Sequence, residues 1–191
     1  YMNESEVSEE RVSSYFAKEK NYFVCESISQ NEYLNNLYDK TSNTLRLVTF
    51  KDPETEKFIL YFAVQRIGTK STIPVDNASM GGLFAKVDLD TGVLSSAKCL
   101  HNTNEYDIHP DSKKPIKGVL VPDWDKIKEE IVTLANRFPY LNFVAWDVLL
   151  TDKGMCIIEA NASSGINILQ LWGGQKNKAL GDFYRYHHLI K

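Results

Sequence analysis

Three stretches of this chain place β-forming residues on both sides of a short turn, and this pattern strongly restricts the folds available to it. The turns are Asp52-Pro53-Glu54, Asp90-Thr91-Gly92 and Thr151-Asp152-Lys153-Gly154. Turns of these residue types join neighbouring antiparallel strands. The sequence therefore predicts hairpins over residues 43–66, 82–101 and 143–159.

Hairpins bury one face against a second layer, and the clearest helical pattern in the chain provides that layer. It runs over residues 123–138, where Ile127 and Ile131 recur on one face, Asp123 is a candidate N-cap and Pro139 follows the end. We therefore predict an α+β fold, in which helices pack on a mainly antiparallel β-sheet.

The length of 191 residues suits one compact domain or two small lobes. Residues 1–21 predict an N-terminal helical lead-in, because apolar residues recur there between charged ones. Residues 22–191 then form a single domain that begins with a strand at residues 22–25. Two segments without periodicity, residues 68–82 and 101–118, are predicted to be long loops.

Composition and charge argue against several functional classes. The 22 basic and 25 acidic residues give a formal charge of −3, which provides no electrostatic attraction for nucleic acid or an anionic membrane. No apolar run approaches the roughly 20 residues of a membrane helix, and the acidic start does not resemble a signal peptide. The 3 cysteines lack the spacing of a disulfide framework or a zinc site. We expect a cytoplasmic protein.

Polar residues interrupt the third predicted hairpin where a core is expected. Asp147 lies inside the apolar strand of residues 143–150, and Glu159 and Asn161 end the returning strand. Counting from the turn places residue 147 roughly opposite residue 158, so that Asp147 and Glu159 converge, with Asn161 on the side of Glu159. Two carboxylates and an amide oxygen form the all-oxygen ligand set that Mg²⁺ prefers.

A structural interpretation of these three residues stands beside the metal interpretation. Taken singly, an Asp in a strand and a Glu-x-Asn at a strand end commonly serve as turn and capping groups. Taken together, they bring two like charges close, which is stable when a cation lies between them or when they share a proton. The set therefore predicts a bound metal or a shared proton.

Several short motifs occur in a characteristic order along the chain. They are Asn43-Thr44-Leu45-Arg46, Val75-Asp76-Asn77, Gly81-Gly82, Asp90-Thr91-Gly92, His109-Pro110, Val121-Pro122-Asp123-Trp124, Trp146-Asp147 and Glu159-Ala160-Asn161. Together they resemble the sugar-transfer-associated ATP-grasp family, over about residues 22–172. The resemblance implies an ATP-grasp C-terminal lobe that uses ATP and Mg²⁺.

The resemblance also implies roles for individual residues. The magnesium ligands would be Asp147, Glu159 and Asn161. Arg46 and Arg66 would be catalytic, since a guanidinium can donate to two oxygens of an acyl phosphate. The residues implied for nucleotide binding are Glu26, at the hinge strand, and Asn43, Lys70, Asn77, Gly81 and Gly82.

Some of these residues also have plainer interpretations. Without the resemblance, Arg46 would be a strand-surface arginine paired with an acid, and Gly81-Gly82 would be an ordinary turn. His101 and His109 lie in a predicted polar loop, and we interpret both as surface histidines without a catalytic role.

The function implied by the resemblance is an ATP- and Mg²⁺-dependent ligase lobe in cell-surface polysaccharide synthesis. It would activate a small-molecule carboxylate as an acyl phosphate and pass it to an amine or a sugar-linked acceptor. The family places lysines and a Gly-rich loop before the hinge strand, whereas residues 1–21 contain only Lys18 and Lys20 and no Gly occurs before Gly68. We therefore expect a missing N-terminal lobe or a partner protein to provide the Gly-rich loop.

Two other functions remain open from the sequence. One is a degenerate, non-catalytic module that binds a glycan or a glycosyltransferase partner. The other keeps the fold but transfers a phosphoryl group to a sugar hydroxyl, as a kinase does.

Overall fold

The computed structural model describes residues 8–18 and 26–191 of the chain. The helices within those residues are α1 (Glu9–Lys18), α2 (Glu32–Leu37), α3 (Trp124–Asn136), α4 (Asn167–Gln170) and α5 (Ala179–Tyr186). The strands are β1 (Leu45–Lys51), β2 (Phe58–Ile67), β3 (Leu83–Val87), β4 (Leu94–Cys99), β5 (Asn102–Tyr106), β6 (Phe143–Thr151) and β7 (Gly154–Asn161). The strand expected at residues 22–25 lies outside the described residues.

The described strands form one antiparallel sheet in the order β5-β4-β3-β2-β1-β6-β7. The three predicted hairpins are present as β1–β2, β3–β4 and β6–β7. Strand β1 joins the first hairpin to the third, because it also pairs with β6 from Leu45↔Val148 to Phe50↔Phe143. The predicted α+β class is confirmed, and β1 lies near the middle of the sheet.

One strand differs from the sequence prediction. The segment 101–118 is predicted as a loop, whereas Asn102–Tyr106 form β5 at one edge of the sheet. Its residues are polar and mostly exposed, so no apolar alternation marks it as a strand. An edge strand of this kind is held by backbone pairing to β4, with Ala97 opposite Tyr106.

The two faces of the sheet bury separate cores. On one face, α3 packs its buried residues Ile127, Ile131 and Ala135 into the larger core. On the other face, α4 and α5 cover a smaller core in which Phe50 and Phe183 pack with their ring centroids 5.1 Å apart. Arg46, Arg66 and Asp147, which are described below, lie on this second face, because their strand neighbours Leu47, Ile67 and Val148 belong to the larger core.

Helix α3 matches the predicted span, but its start differs from the prediction. Asp123 precedes the helix with a left-handed backbone (φ 51°) and makes no side-chain capping hydrogen bond. The Trp124 indole anchors the first turn instead, by donating from Nε1 to the Leu89 carbonyl at 3.0 Å. A buried aromatic contact therefore replaces the expected side-chain cap.

Two further observations concern the described helices and cysteines. None of the described helices is both long and apolar enough to cross a bilayer. Of the cysteines in the described residues, Cys99 and Cys156 are free thiols.

Candidate functional site

A row of polar residues crosses three neighbouring strands on the face covered by α4 and α5. Arg46 on β1 lies opposite Asp147 on β6, and Asp147 lies opposite Glu159 on β7. Asn161 is two residues beyond Glu159, opposite Ala145, and therefore projects on the same face. The three residues predicted to bind magnesium are thus brought to one face of the sheet.

The register of this hairpin differs by one residue from the count made on the sequence. The pairing shifts between Asp147 and Val148, because Val148 lies opposite Ile157 and Asp147 lies opposite Glu159. Ile158 is the extra residue of a β-bulge. The bulge places the two carboxylate-bearing residues directly opposite each other, where Cβ atoms are about 4.5–5.5 Å apart in antiparallel sheets.

Asp147 is held between two arginines. The Nε of Arg46 donates to its Oδ1, and the Nη2 of Arg46 donates to its Oδ2 at 2.8 Å. The Nη1 of Arg66 donates to the same Oδ2 at 3.2 Å. The Asp147 side chain is 7% exposed, and those of Arg46 and Arg66 are 14% and 13% exposed. The carboxylate is therefore buried and paired.

A second carboxylate, Asp76, completes this buried ion cluster. Its Oδ1 lies 2.7 Å from Nη2 of Arg66, and its Oδ2 accepts hydrogen bonds from the Thr44 amide and hydroxyl, each at 2.6 Å. Burial raises the pKa of Asp76, while Arg66 and Thr44 act in the opposite direction. With Arg46, Arg66, Asp147 and Asp76, the cluster holds two positive and two negative groups.

Two residues that contact the arginines of this cluster are not among the site residues predicted from the sequence. Asp76 lies in the Val-Asp-Asn motif, but its contact with Thr44 spans 32 residues of sequence and has no local signal. Ser164 accepts a hydrogen bond from Nη1 of Arg46 at 3.0 Å, which brings the segment after β7 to the cluster. Of the Val-Asp-Asn motif, the sequence analysis predicts a binding role only for Asn77.

The Arg66 guanidinium has one donor without a partner. Its Nε is buried and makes no hydrogen bond, and it is the one such side-chain atom among the described residues. Most buried polar atoms in folded proteins are paired, so an exception on a conspicuously charged group needs an explanation. Because this Nε is not accessible from outside, its missing partner gives no evidence of a ligand, and the catalytic role of Arg66 stays a prediction.

Glu159 and Asn161 differ from Asp147 in how their side chains are partnered and exposed. Glu159 is exposed and Asn161 half-buried, and neither side chain makes a hydrogen bond or ion pair with any described residue. No group of three or more His, Cys, Asp and Glu side chains is placed to hold a metal in residues 8–18 and 26–191. The predicted set contains only two such residues, and its third ligand is an amide.

Asn43 has a structural position beneath the site. It is fully buried, and its side-chain nitrogen donates to the Tyr38 carbonyl at 2.6 Å. Its Oδ1 accepts from the Gly68 amide at 2.9 Å and from the Thr41 hydroxyl at 2.8 Å. Asn43 thus ties the start of β1 to α2 and to the long loop, and contact with a nucleotide stays a prediction that this burial does not favour.

The remaining predicted nucleotide residues lie along the loop at 68–82. The Lys70 side chain is exposed and makes no hydrogen bond or ion pair with the described residues. Asn77 accepts from the Ser79 amide at 3.2 Å and caps a short 3₁₀ turn. A Cβ on Gly82 would lie 2.6 Å from the Asp76 carbonyl oxygen, and Gly81 has φ 97°. The glycine pair therefore has a structural requirement, and its anion-binding role stays a prediction.

Glu26 lies at the other end of the third hairpin. It is exposed and lines a cleft of about 620 Å³ together with residues 151–157, at the β6–β7 turn. Its role in nucleotide binding stays a prediction.

His109 is not the surface histidine that the sequence predicts. It is fully buried and stacks on Tyr38 with ring centroids 4.6 Å apart. Its Nε2 lies 2.8 Å from the Gly68 carbonyl oxygen, and its Nδ1 accepts from the Asp111 and Ser112 amides at 3.2 and 3.1 Å. Burial lowers the pKa of His109, so the neutral ring is a structural clamp on the long loop.

Comparison with known proteins gives one match. The family described as sugar-transfer associated ATP-grasp matches residues 4–180, a span that includes the row, the ion cluster and the loop at 68–82. No curated protein and no solved structure matches the chain.

Proposed function

The chain belongs to the sugar-transfer associated ATP-grasp family, and on that premise we propose that it is the ATP- and Mg²⁺-dependent lobe of a carboxylate ligase. The observation that carries the proposal is the in-register row of Arg46, Asp147 and Glu159. It brings a buried guanidinium, a buried carboxylate and an exposed carboxylate onto one sheet face.

The residues present fit a magnesium ion in their chemistry. Glu159 and Asn161 offer uncommitted oxygens, and Asp147 retains lone pairs beside those used by its arginines, since a carboxylate can accept about four hydrogen bonds. These three residues would hold the ion, and water and phosphate oxygens would complete its shell. When bound, Mg²⁺ supplies neutralisation of the charge on the phosphates during transfer.

Arg46 and Arg66 have the second role in this proposal. Both lie beside Asp147, and both are fixed by hydrogen bonds that limit their rotamers. Preorganised guanidinium groups stabilise developing negative charge without reorganising during the reaction. We assign them to the oxygens of the transferred phosphoryl group and of the substrate carboxylate.

The proposed reaction has two steps. A substrate carboxylate oxygen bonds to the γ-phosphorus of ATP. The bond between that phosphorus and the oxygen that links it to the β-phosphate breaks, and ADP leaves with the electron pair. An amine or hydroxyl of the acceptor then bonds to the acyl carbon, the acyl–oxygen bond breaks, and inorganic phosphate leaves with the electron pair while the acceptor loses a proton. Arg46 and Arg66 would hold the negative oxygens in both steps.

Glu159→Gln is the test of this function. The change removes one negative charge and leaves the shape, and Glu159 is exposed, so the fold should persist. We expect calorimetric titration with ATP to show Mg²⁺-dependent binding in the full chain and at least tenfold weaker binding in the variant. Glu54→Gln, the same chemical change at an exposed position in the turn between β1 and β2, is the control. Equal Mg²⁺-dependent affinity in both variants would refute the ligand assignment.

The binding-module alternative also has an observation in its favour. Both oxygens of Asp147 are already paired with arginine, and the ion cluster is balanced in charge without a metal. A degenerate site of this kind would bind ATP with no dependence on Mg²⁺, or would not bind it. The same titration, repeated with EDTA, separates the two functions.

A further inference from the structure

A second cleft lies beside the candidate site, between the start of β6, the segment that follows β7, and α5. Its volume is about 580 Å³. Clefts of a few hundred cubic ångströms are large enough for a small-molecule ligand. None of the residues predicted from the sequence lines it.

Aromatic rings form much of the wall of this cleft. Tyr140 is 74% exposed and lines it beside Phe143. Tyr184 lies on the wall with its ring centroid 6.3 Å from that of Phe143, and His187 packs 4.5 Å from Phe183. Exposed aromatic rings backed by other rings are rigid platforms, because little side-chain freedom is lost when a ligand stacks on them.

Three polar side chains of the wall are uncharged and have no hydrogen-bond partner among the described residues. Asn142, Ser163 and Tyr184 line the cleft, and no side-chain atom of these three makes a hydrogen bond within the described residues. No Asp, Glu, Lys or Arg is among the residues that line this cleft in the described chain. His187 is the one ionisable imidazole among the described residues of the wall, so an anionic or cationic ligand would find no permanently charged partner among these residues. An aliphatic ligand would leave the polar groups unpaired.

One short segment joins the candidate site to the cleft. Ser163 and Ser164 both line it, and Ser164 accepts the hydrogen bond from Arg46. Phe143 lies four residues before Asp147 on β6, which is roughly 13 Å along a strand. A ligand in the cleft could therefore present a reactive group toward Arg46 while its body lies on the aromatic wall.

We propose that this cleft is the acceptor subsite, and that it binds an uncharged sugar ring. The less polar face of the ring would stack on Tyr140 and Tyr184, and its hydroxyls would exchange hydrogen bonds with Asn142 and Ser163. Its role as acceptor subsite rests on the proposed ligase function, whereas its binding of a neutral sugar does not.

The test is an NMR titration of the full chain without nucleotide. The probes are methyl glucoside, methyl galactoside and methyl N-acetylglucosaminide, with glucuronate as the charged counterpart. We expect at least one neutral glycoside to shift the resonances of residues 140–143 and 162–164 in a saturable manner, and glucuronate to bind more weakly. Failure of all three neutral probes, or tighter binding of glucuronate, would overturn the proposal.

Variants locate the binding. Tyr140→Ala should weaken the glycoside roughly tenfold, because it removes the exposed stacking ring. Tyr186→Ala is the matched control, since Tyr186 is also an exposed tyrosine, at 59%, but does not line the cleft. An equal loss in both variants would also overturn the proposal. Because no nucleotide is present, Mg²⁺–ATP binding can fail while this result stands, and the reverse also holds.

Discussion

The two ends of the polar row differ in how fully the fold has used them. At β1 and β6, the buried Asp147 and the largely buried Arg46 are hydrogen-bonded to each other, and they belong to a cluster of balanced charge. At β7, Glu159 and Asn161 stand on the same face without a side-chain partner in the described residues. We call the paired residues Arg46 and Asp147 the committed part of the row, and Glu159 and Asn161 its open part.

The difference separates folding stability from ligand binding, two roles that the sequence alone does not distinguish among these residues. Buried charges without partners are strongly unfavourable, so the committed part must be paired for the chain to fold. Exposed polar groups contribute little to folding and remain available to a ligand. We therefore expect changes in the cluster around Asp147 to lower stability, and changes on β7 to affect the proposed ligand binding with little loss of stability.

The largest expected effect is on the committed part. Asp147→Asn keeps the shape but removes the charge that pairs with Arg46 and Arg66, which leaves two buried guanidinium groups with Asp76 alone. Removing one partner of a buried ion pair costs about 3–5 kcal/mol. We expect a loss of this size in the free energy of unfolding, measured with urea.

The control for this variant is Asp152→Asn, at the exposed turn of the same hairpin. It should change the free energy of unfolding by less than about 0.5 kcal/mol. If Asp147→Asn also changed the free energy of unfolding by less than about 0.5 kcal/mol, the ion cluster would not stabilise the fold, and the distinction between the two ends of the row would be wrong. The full effect would also make Asp147→Asn unsuitable as a pure test of metal binding.

A smaller effect is expected from pH, through His109. Its ring is buried, and protonation of Nδ1 would break the hydrogen bonds that it accepts from Asp111 and Ser112. Burial lowers the pKa of His109 below its ordinary 6.5. The unfolded chain therefore takes up a proton first as pH falls below 6.5, so stability present above that pH is lost below it, with a slope of up to about 1.4 kcal/mol per pH unit.

Urea unfolding at several pH values measures this slope. His109→Gln should flatten it, because a Gln side chain at position 109 takes up no proton in this pH window. His101→Gln is the matched control, since His101 is exposed and its change should leave the slope intact. A slope that persists in His109→Gln would show that the clamp on the long loop does not titrate as described.

The sequence predicts the local parts of this molecule well. Each hairpin is encoded by neighbouring β-forming stretches and a turn, and α3 by the recurrence of Ile127 and Ile131, so residues close in the chain carry the signal. Glu159 and Asn161 share a face because they lie two residues apart on one strand. These features need no information about distant contacts.

The parts that could not be predicted depend on one irregularity in strand pairing and on contacts between distant segments. Ile157 and Ile158 are both apolar, so the sequence does not mark which of them is the bulge residue that shifts Glu159 opposite Asp147. Asp76 lies in a loop without periodicity, and its partner Thr44 is 32 residues away. His109 is polar and next to Pro110, a pattern typical of an exposed loop, yet tertiary packing buries it.

The smallest expected effect tests the open part of the row. Glu159→Gln removes the charge of an exposed side chain that has no partner in the described residues, so the free energy of unfolding should change by less than about 0.5 kcal/mol. A loss well above that value in urea unfolding would mean that Glu159 is held by the fold. Together with the ATP titration, a stable variant that has lost Mg²⁺-dependent binding would show that one residue of the row acts on the ligand alone, because the buried charges beside it would remain paired.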